Sequence, residues 1–215
     1  MSQEPAPATP EPTLKSVVEA SAFLITLGSV WLYLAGWTYA YHYFDRFRIP
    51  LLMVELPLEH YFVYGFIVIR QHVGWVVTIL LAALALVLLW SRLPASIRQH
   101  KIVLAAVFIL IGFWLGHATG VSAAHAQFQR QRTNDYDAYP RIQVWRTAEA
   151  ANNPNNAPSA EDLAKGCHRL LLYNQDRLFL FRPFGGTPAA DLPSVILPWS
   201  EIASIRVLPD HTSCP

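Results

Sequence analysis

The sequence predicts two parts in series: an α-helical membrane domain with three transmembrane helices, then a small all-β extramembrane domain of barrel type. Three observations lead there. Apolar residues gather into three runs, each at or above the roughly 18–20 residues that a helix needs to cross about 30 Å of hydrocarbon. Charged residues make up only 14% of the 215 positions, against about 25% in a soluble domain, and the deficit falls between Val17 and Ala124. Beyond that stretch, short runs rich in β-branched and aromatic residues alternate with turn chemistry.

Residues 1–15 open the chain with "MSQEPAPATPEPT". The segment cannot bury enough apolar surface to offset the entropy of ordering, so it is expected to be a disordered tail. It lacks the basic start of a secretory signal. The membrane domain is expected over residues 16–132. Its first span covers 17–43, its second 73–90 and its third 102–124. Trp37, Tyr39, Tyr41 and Tyr43 on the first span, with Trp75 and Trp90 on the second, read as an interfacial aromatic belt. Pro50 and Pro57 punctuate the connection from Asp45 to His72. Tyr61–Ile69 is apolar but too short to cross alone. It is expected to continue the second span as one long helix from about Leu58, tilted or protruding, with a re-entrant segment as the alternative.

The β domain is expected over 133–215, with an insertion at 147–166 holding the irregular "ANNPNNAPS" and a short helix at Ala160–Lys165. "RIQVWRT", "HRLLLYNQDRLFLFRP" and "SVILPWSEIASIRVL" supply about five strands. Asn174, Gln175 and Asp176 make a hairpin tip. "PWSEIASI" places one helical turn between the last two strands. That order resembles the small SH3-like or Sm-like barrels.

A formal net charge of +1 and a pI near 7.9 leave no basic stripe for nucleic acid. Lys15, Arg92, Arg98 and Lys101 fall on one side of the membrane, and Arg46, Arg48, Arg70, Arg130 and Arg132 on the other. The short loop 91–101 is basic and free of acids, which places it and the N-terminus in the cytoplasm of a plasma or inner membrane protein, with the β domain outside. Both cysteines, Cys167 and Cys214, fall in the β domain, where they form a disulfide in an oxidising compartment or stand as two thiols.

Gly112, Gly116, Gly120 and Ala124 recur every four residues on one helix face. Small residues permit close helix contact in lipid, so the stripe reads as a seam between copies, as a pore-lining face or as internal packing. Gly74, Thr78 and Ala82 form a weaker counterpart. His42, His60, His72, His117 and His125 gather near one membrane face. Only His117 and His125, two turns apart, are even weak metal or haem candidates, and no cofactor or metal is expected. Glu55, Glu59, Arg70 and His72 read as an interfacial polar cluster. No phosphate-binding loop, zinc-protease helix, nucleophile elbow or C-x-x-C is present in the sequence.

Three spans, a glycine-rich third helix and a small β domain are similar in layout to the small-conductance mechanosensitive channels. The chain departs from them in lacking the large α/β domain that should follow and in its charge bias, so no residue carries over. The expected function is therefore non-enzymatic: a multi-pass protein in the lipid bilayer that anchors and oligomerises a β interaction module, as a scaffold, sensor or accessory subunit of a membrane complex. The alternatives are a homo-oligomeric channel lined by the third helix and a metal- or haem-binding membrane protein.

Overall fold

A computed structural model describes residues 14–89, 100–153, 158–183 and 191–209. The tail expected over 1–15, apart from its last two residues, lies outside these, as do Trp90, Arg92, Arg98 and Cys214.

Five helices come first: α1 (Leu14–Asp45), α2 (Leu51–Val54), α3 (Leu58–Gln71), α4 (Val73–Leu89) and α5 (Lys101–Thr133). α1 is the centre, with α3 and α5 packed against it. Its contacts with α5 climb together: Trp31 with Gly112, Thr38 with Gly120, Arg46 with His125 and Phe47 with Phe128. The two helices therefore run in the same direction. α3 crosses α1 at Gly36 and Gly65, where a Cβ on Gly36 would overlap the Tyr61 carbonyl oxygen and one on Gly65 the Leu32 carbonyl oxygen. Only glycine allows backbones that close.

The expected single helix from Leu58 is not continuous. It breaks at His72, and α3 meets the following helix at 86°. The His72 N–H is shared between the carbonyls of Val68 and Ile69, both at 3.1 Å, a bifurcation typical of helix ends. Packing supplies the reason for the break. α3 is fastened to α1, whereas α4 leaves the bundle with Val73, Trp75 and Leu81 exposed.

Ile102–Thr133 is long and apolar enough to cross a membrane, and only 6% of its most apolar 18-residue window is buried. The core helix of a soluble protein would be covered. The bent α3–α4 pair passes the same test when taken together, so the described residues hold one helix of this kind, or two.

After α5 come β1 (Arg141–Arg146), β2 (His168–Tyr173), β3 (Arg177–Phe181), β4 (Ser194–Pro198) and β5 (Ile202–Leu208). They form an antiparallel sheet in the order β4-β3-β2-β1-β5. The expected barrel is corrected to an open sheet, with β4 and β5 as its edges and the 3-10 turn Trp199–Glu201 between them. β1 and β2 pair only at Arg141–Arg169 and Ile142–His168, and bulges interrupt the β1–β5 and β2–β3 ladders. In the insertion, α6 (Ala148–Ala151) and α7 (Ala160–Ala164) start at Thr147 and Ser159, whose hydroxyls accept the backbone N–H of Ala150 and Asp162. These are ordinary N-caps.

β3 is buried on both faces. Phe179 and Phe181 join Phe47, Phe128 and Tyr136 in a core shared with the helices, while Leu178 and Leu180 join Ile142, Val144, Leu163 and Leu197 in a second core on the far side. Sheet and helices thus share one continuous apolar interior. Burying each such aromatic or aliphatic side chain contributes about 1.5–3 kcal/mol.

Candidate functional site: a tyrosine-walled cavity between helices and sheet

A cavity of about 730 Å³ opens where the helices meet the sheet. α1 contributes Tyr39 and Tyr43, four residues apart and so on one face. Their rings stack at 5.6 Å with planes 4° apart. α3 adds Tyr64, 5.3 Å from the Tyr39 ring, and the strand-leading segment after α5 adds Tyr139. The hydroxyls of Tyr43 and Tyr139 hydrogen-bond to one another. Burial pushes the Tyr139 phenol up to about 12, opposed by that hydrogen bond, so it stays neutral at physiological pH. Tyr173, Asn174 and Gln175 close the far wall from the β2–β3 hairpin.

The hairpin wall is held in place by its tip. Asn174 Oδ1 accepts the backbone N–H of Asp176 at 3.1 Å and of Arg177 at 2.7 Å, an Asx turn. The Asn174 carbonyl accepts the Trp199 indole N–H at 2.9 Å, and its side-chain amide donates to Met53 O at 3.4 Å. The sequence therefore placed the hairpin tip correctly, and the tip also reaches the helical part.

On another side of the junction, Asp191 lies 2.6 Å from Arg48 and 3.6 Å from Arg46. Arg46 donates to His125 Nδ1 at 3.1 Å, Leu192 N–H to Arg46 O at 2.8 Å, and Ser194 Oγ to Phe47 O at 2.8 Å. From β2, buried Arg169 donates to Tyr139 O at 2.7 Å and pairs with Asp135 at 3.3 Å. Arg48, Glu55, Asp135 and Tyr136, the non-glycine residues with positive φ among the described residues, all sit in the connections at this junction. Backbone strain of about 1–3 kcal/mol each persists only where surroundings over-determine it.

Several expected site residues fall elsewhere. Gly116 and Gly120 face α1 within the same chain: an added Cβ would meet Trp31 Nε1 at 2.9 Å and Ala35 O at 2.8 Å, respectively. Ala124 is buried in the shared core. Gly112 has nothing within 4 Å of an added Cβ, though its carbonyl accepts the Trp31 indole N–H at 2.9 Å. Gly74 is equally open, and Thr78 merely returns a hydrogen bond to its carbonyl at 2.9 Å. The side chain of Ala82 is not described.

The polar cluster of Glu55, Glu59, Arg70 and His72 does not assemble. Glu59 and Arg70 occupy opposite ends of α3, about 16 Å apart at 1.5 Å per residue. Glu55 instead borders the cavity, with His60. The aromatic belt also divides. Trp37 and Tyr41 stack on the exposed face of α1 at 5.6 Å, whereas Tyr39 and Tyr43 are 3% and 6% exposed and turn inward. His117 sits 5.9 Å from the His42 ring and His125 against Arg46, so the two histidines keep different company. Among the described residues, no group of three or more His, Cys, Asp or Glu side chains is placed to hold a metal ion.

Cys167 is disulfide-bonded. The sequence reading missed the tyrosine wall, although Tyr39 and Tyr43 at helical spacing and Tyr61–Tyr64 after Pro57 were its signal. Comparison with protein-family models, with curated proteins and with solved structures finds no match to this chain.

Proposed function

We propose that the chain is a non-enzymatic multi-pass membrane protein that holds a small β module rigidly at the bilayer surface, where the module contacts another protein or subunit. The observation that carries this reading is the division of apolar surface. Ile25, Trp75, Leu110 and Trp114 are each 66–69% exposed on α1, α4 and α5, a density of bare apolar side chains that water would penalise and hydrocarbon would cover. The sheet-proximal ends of α1 and α5 are instead sealed into the shared core. In this reading α1, the bent α3–α4 pair and α5 are the three spans. The Cys167 disulfide favours a module facing an oxidising compartment.

Carbonate washing of membranes tests the anchoring, and release of the protein into the supernatant would end the proposal. Labelling of Ser200→Cys, on the exposed turn before β5, by a membrane-impermeant maleimide in intact cells reads the orientation. Self-association, the second half of the reading, has a narrower basis. Gly116 and Gly120 already serve α1, so the glycine of this stripe still open to a second copy is Gly112. Light scattering of the detergent-purified wild type and Gly112→Leu decides it. A defined oligomer lost in the variant supports a self-assembling scaffold, and a monomer in both refutes self-association.

A further inference from the structure

The lining of the junction cavity has an unusual chemical balance for a site walled by helices and a sheet. Five tyrosines border it, Tyr39, Tyr43, Tyr64, Tyr139 and Tyr173, and among the described residues that line it the one carboxylate is Glu55. Neither Lys nor Arg occurs among the described residues that line it. The hydroxyls of Tyr43 and Tyr139 hydrogen-bond to each other, which uses one of their two O–H donors, so these two side chains offer an occupant ring surface and one remaining hydroxyl donor. Aromatic faces carry negative electrostatic potential and attract cations, the more so when water is partly excluded. Glu55 at the rim adds to the same field, and the one basic side chain among the described lining residues is the His60 imidazole. Val54, Leu56, Leu171 and Leu172 supply apolar wall for a hydrocarbon substituent.

We propose that this cavity binds an organic cation, an alkylammonium group bearing an apolar substituent, with the tyrosine rings around the charge and Glu55 as its counter-ion. Its volume, about 730 Å³, lies within the range of small-molecule sites, about 300–1,000 Å³. The ammonium group has two sources, a free amine or the headgroup of a lipid, and the lining favours the free amine because a headgroup phosphate would meet neither Lys nor Arg among the described lining residues. This goes beyond the anchoring reading and does not depend on it, since binding is measured on the purified whole protein in detergent.

The test is calorimetric titration with choline, with 3,3-dimethylbutanol as a neutral probe of the same shape, and with phosphocholine. Choline is expected to bind saturably and about tenfold or more tighter than its neutral counterpart, the difference that cation–aromatic contacts supply. Glu55→Gln and Tyr173→Leu should each weaken choline several-fold. Both residues are exposed, Tyr173 by 67%, so the variants retain the fold, as a thermal melt would check. Phosphocholine much weaker than choline assigns the site to a free amine, and equal binding assigns it to a lipid headgroup. Equal binding of choline and 3,3-dimethylbutanol, no saturable binding, or indifference to both Glu55→Gln and Tyr173→Leu would overturn the proposal.

Discussion

Three glycines on one face of α5, spaced by four, should respond to the same added methyl group with opposite signs. At Gly112 an alanine Cβ meets nothing within 4 Å, so the variant gains the intrinsic helix preference of alanine over glycine, about 1 kcal/mol. At Gly120 the Cβ would lie 2.8 Å from the Ala35 carbonyl oxygen and 3.0 Å from Thr38 Cβ. The first contact is with backbone, so α1 and α5 must separate, an overpacking cost of about 1–3 kcal/mol set against the same helical gain. Gly116 is intermediate, because its close neighbour is the Trp31 indole, 2.9 Å away. That ring can move only by giving up its 2.9 Å hydrogen bond to Gly112 O, worth about 1 kcal/mol. Gly36→Ala is the severe reference, since its Cβ would overlap the Tyr61 carbonyl oxygen. Thermal unfolding of the four purified variants in one detergent measures the order, with about 2–4 °C expected per kcal/mol for a chain of this size. The predicted order of Tm is Gly112→Ala at or above wild type, then Gly116→Ala, then Gly120→Ala, with Gly36→Ala lowest. If Gly112→Ala is as damaging as Gly120→Ala, the account of the stripe as contact within one chain is wrong.

Phe47→Ala should be the costliest single truncation at the junction, about 3–5 kcal/mol. Its ring is fully buried with centroids of Phe181, Tyr43 and Phe128 at 5.0, 5.5 and 5.6 Å; limited proteolysis should then release the sheet at lower temperature. Asp191→Asn removes the anion between Arg46 and Arg48, and with Arg48 well exposed the loss should stay within about 1 kcal/mol, read as a small Tm change that salt reduces. His168 is 3% exposed, and burial, with Arg182 in support and Asp162 opposing, holds its imidazole below the usual range. The unfolded chain therefore binds the proton first, so the stability this neutral histidine permits is full above about pH 6.5 and is lost as pH falls through its folded pKa. His168→Leu should flatten that part of the Tm–pH curve, and an unchanged curve would count against the assignment.

Local chemistry made the sheet legible. "RLFLF" and "SVILP" are short, β-branched or aromatic, and bounded by Asn174–Asp176 and by the Pro198–Trp199 step, so β3, β4 and the helical turn fall where the pattern puts them. The short helix expected at Ala160–Lys165 is likewise found at Ala160–Ala164. What closed the sheet or left it open was not local, because it depends on whether the edge strands β4 and β5 pair with each other, and they do not. The break at His72 was equally hidden. No proline marks it, and it arises because Gly36 and Gly65 fasten α3 to α1 while α4 has no such partner. The cavity was visible only in pieces. Helical spacing separates Tyr39 and Tyr43 from Trp37 and Tyr41 by about 200°, yet only tertiary packing tells which pair is exposed and which is buried beside Tyr139.

β3 has its odd-numbered rings in one interior and its even-numbered leucines in the other. A five-residue strand that is keel to both cores makes the sheet inseparable from its helical base. Cutting the chain after α5 to obtain a soluble fragment would strip cover from Phe179, Phe181 and Leu192 at once and leave a sticky underside. A fragment carrying the sheet is therefore expected to fold only together with α1 and α5.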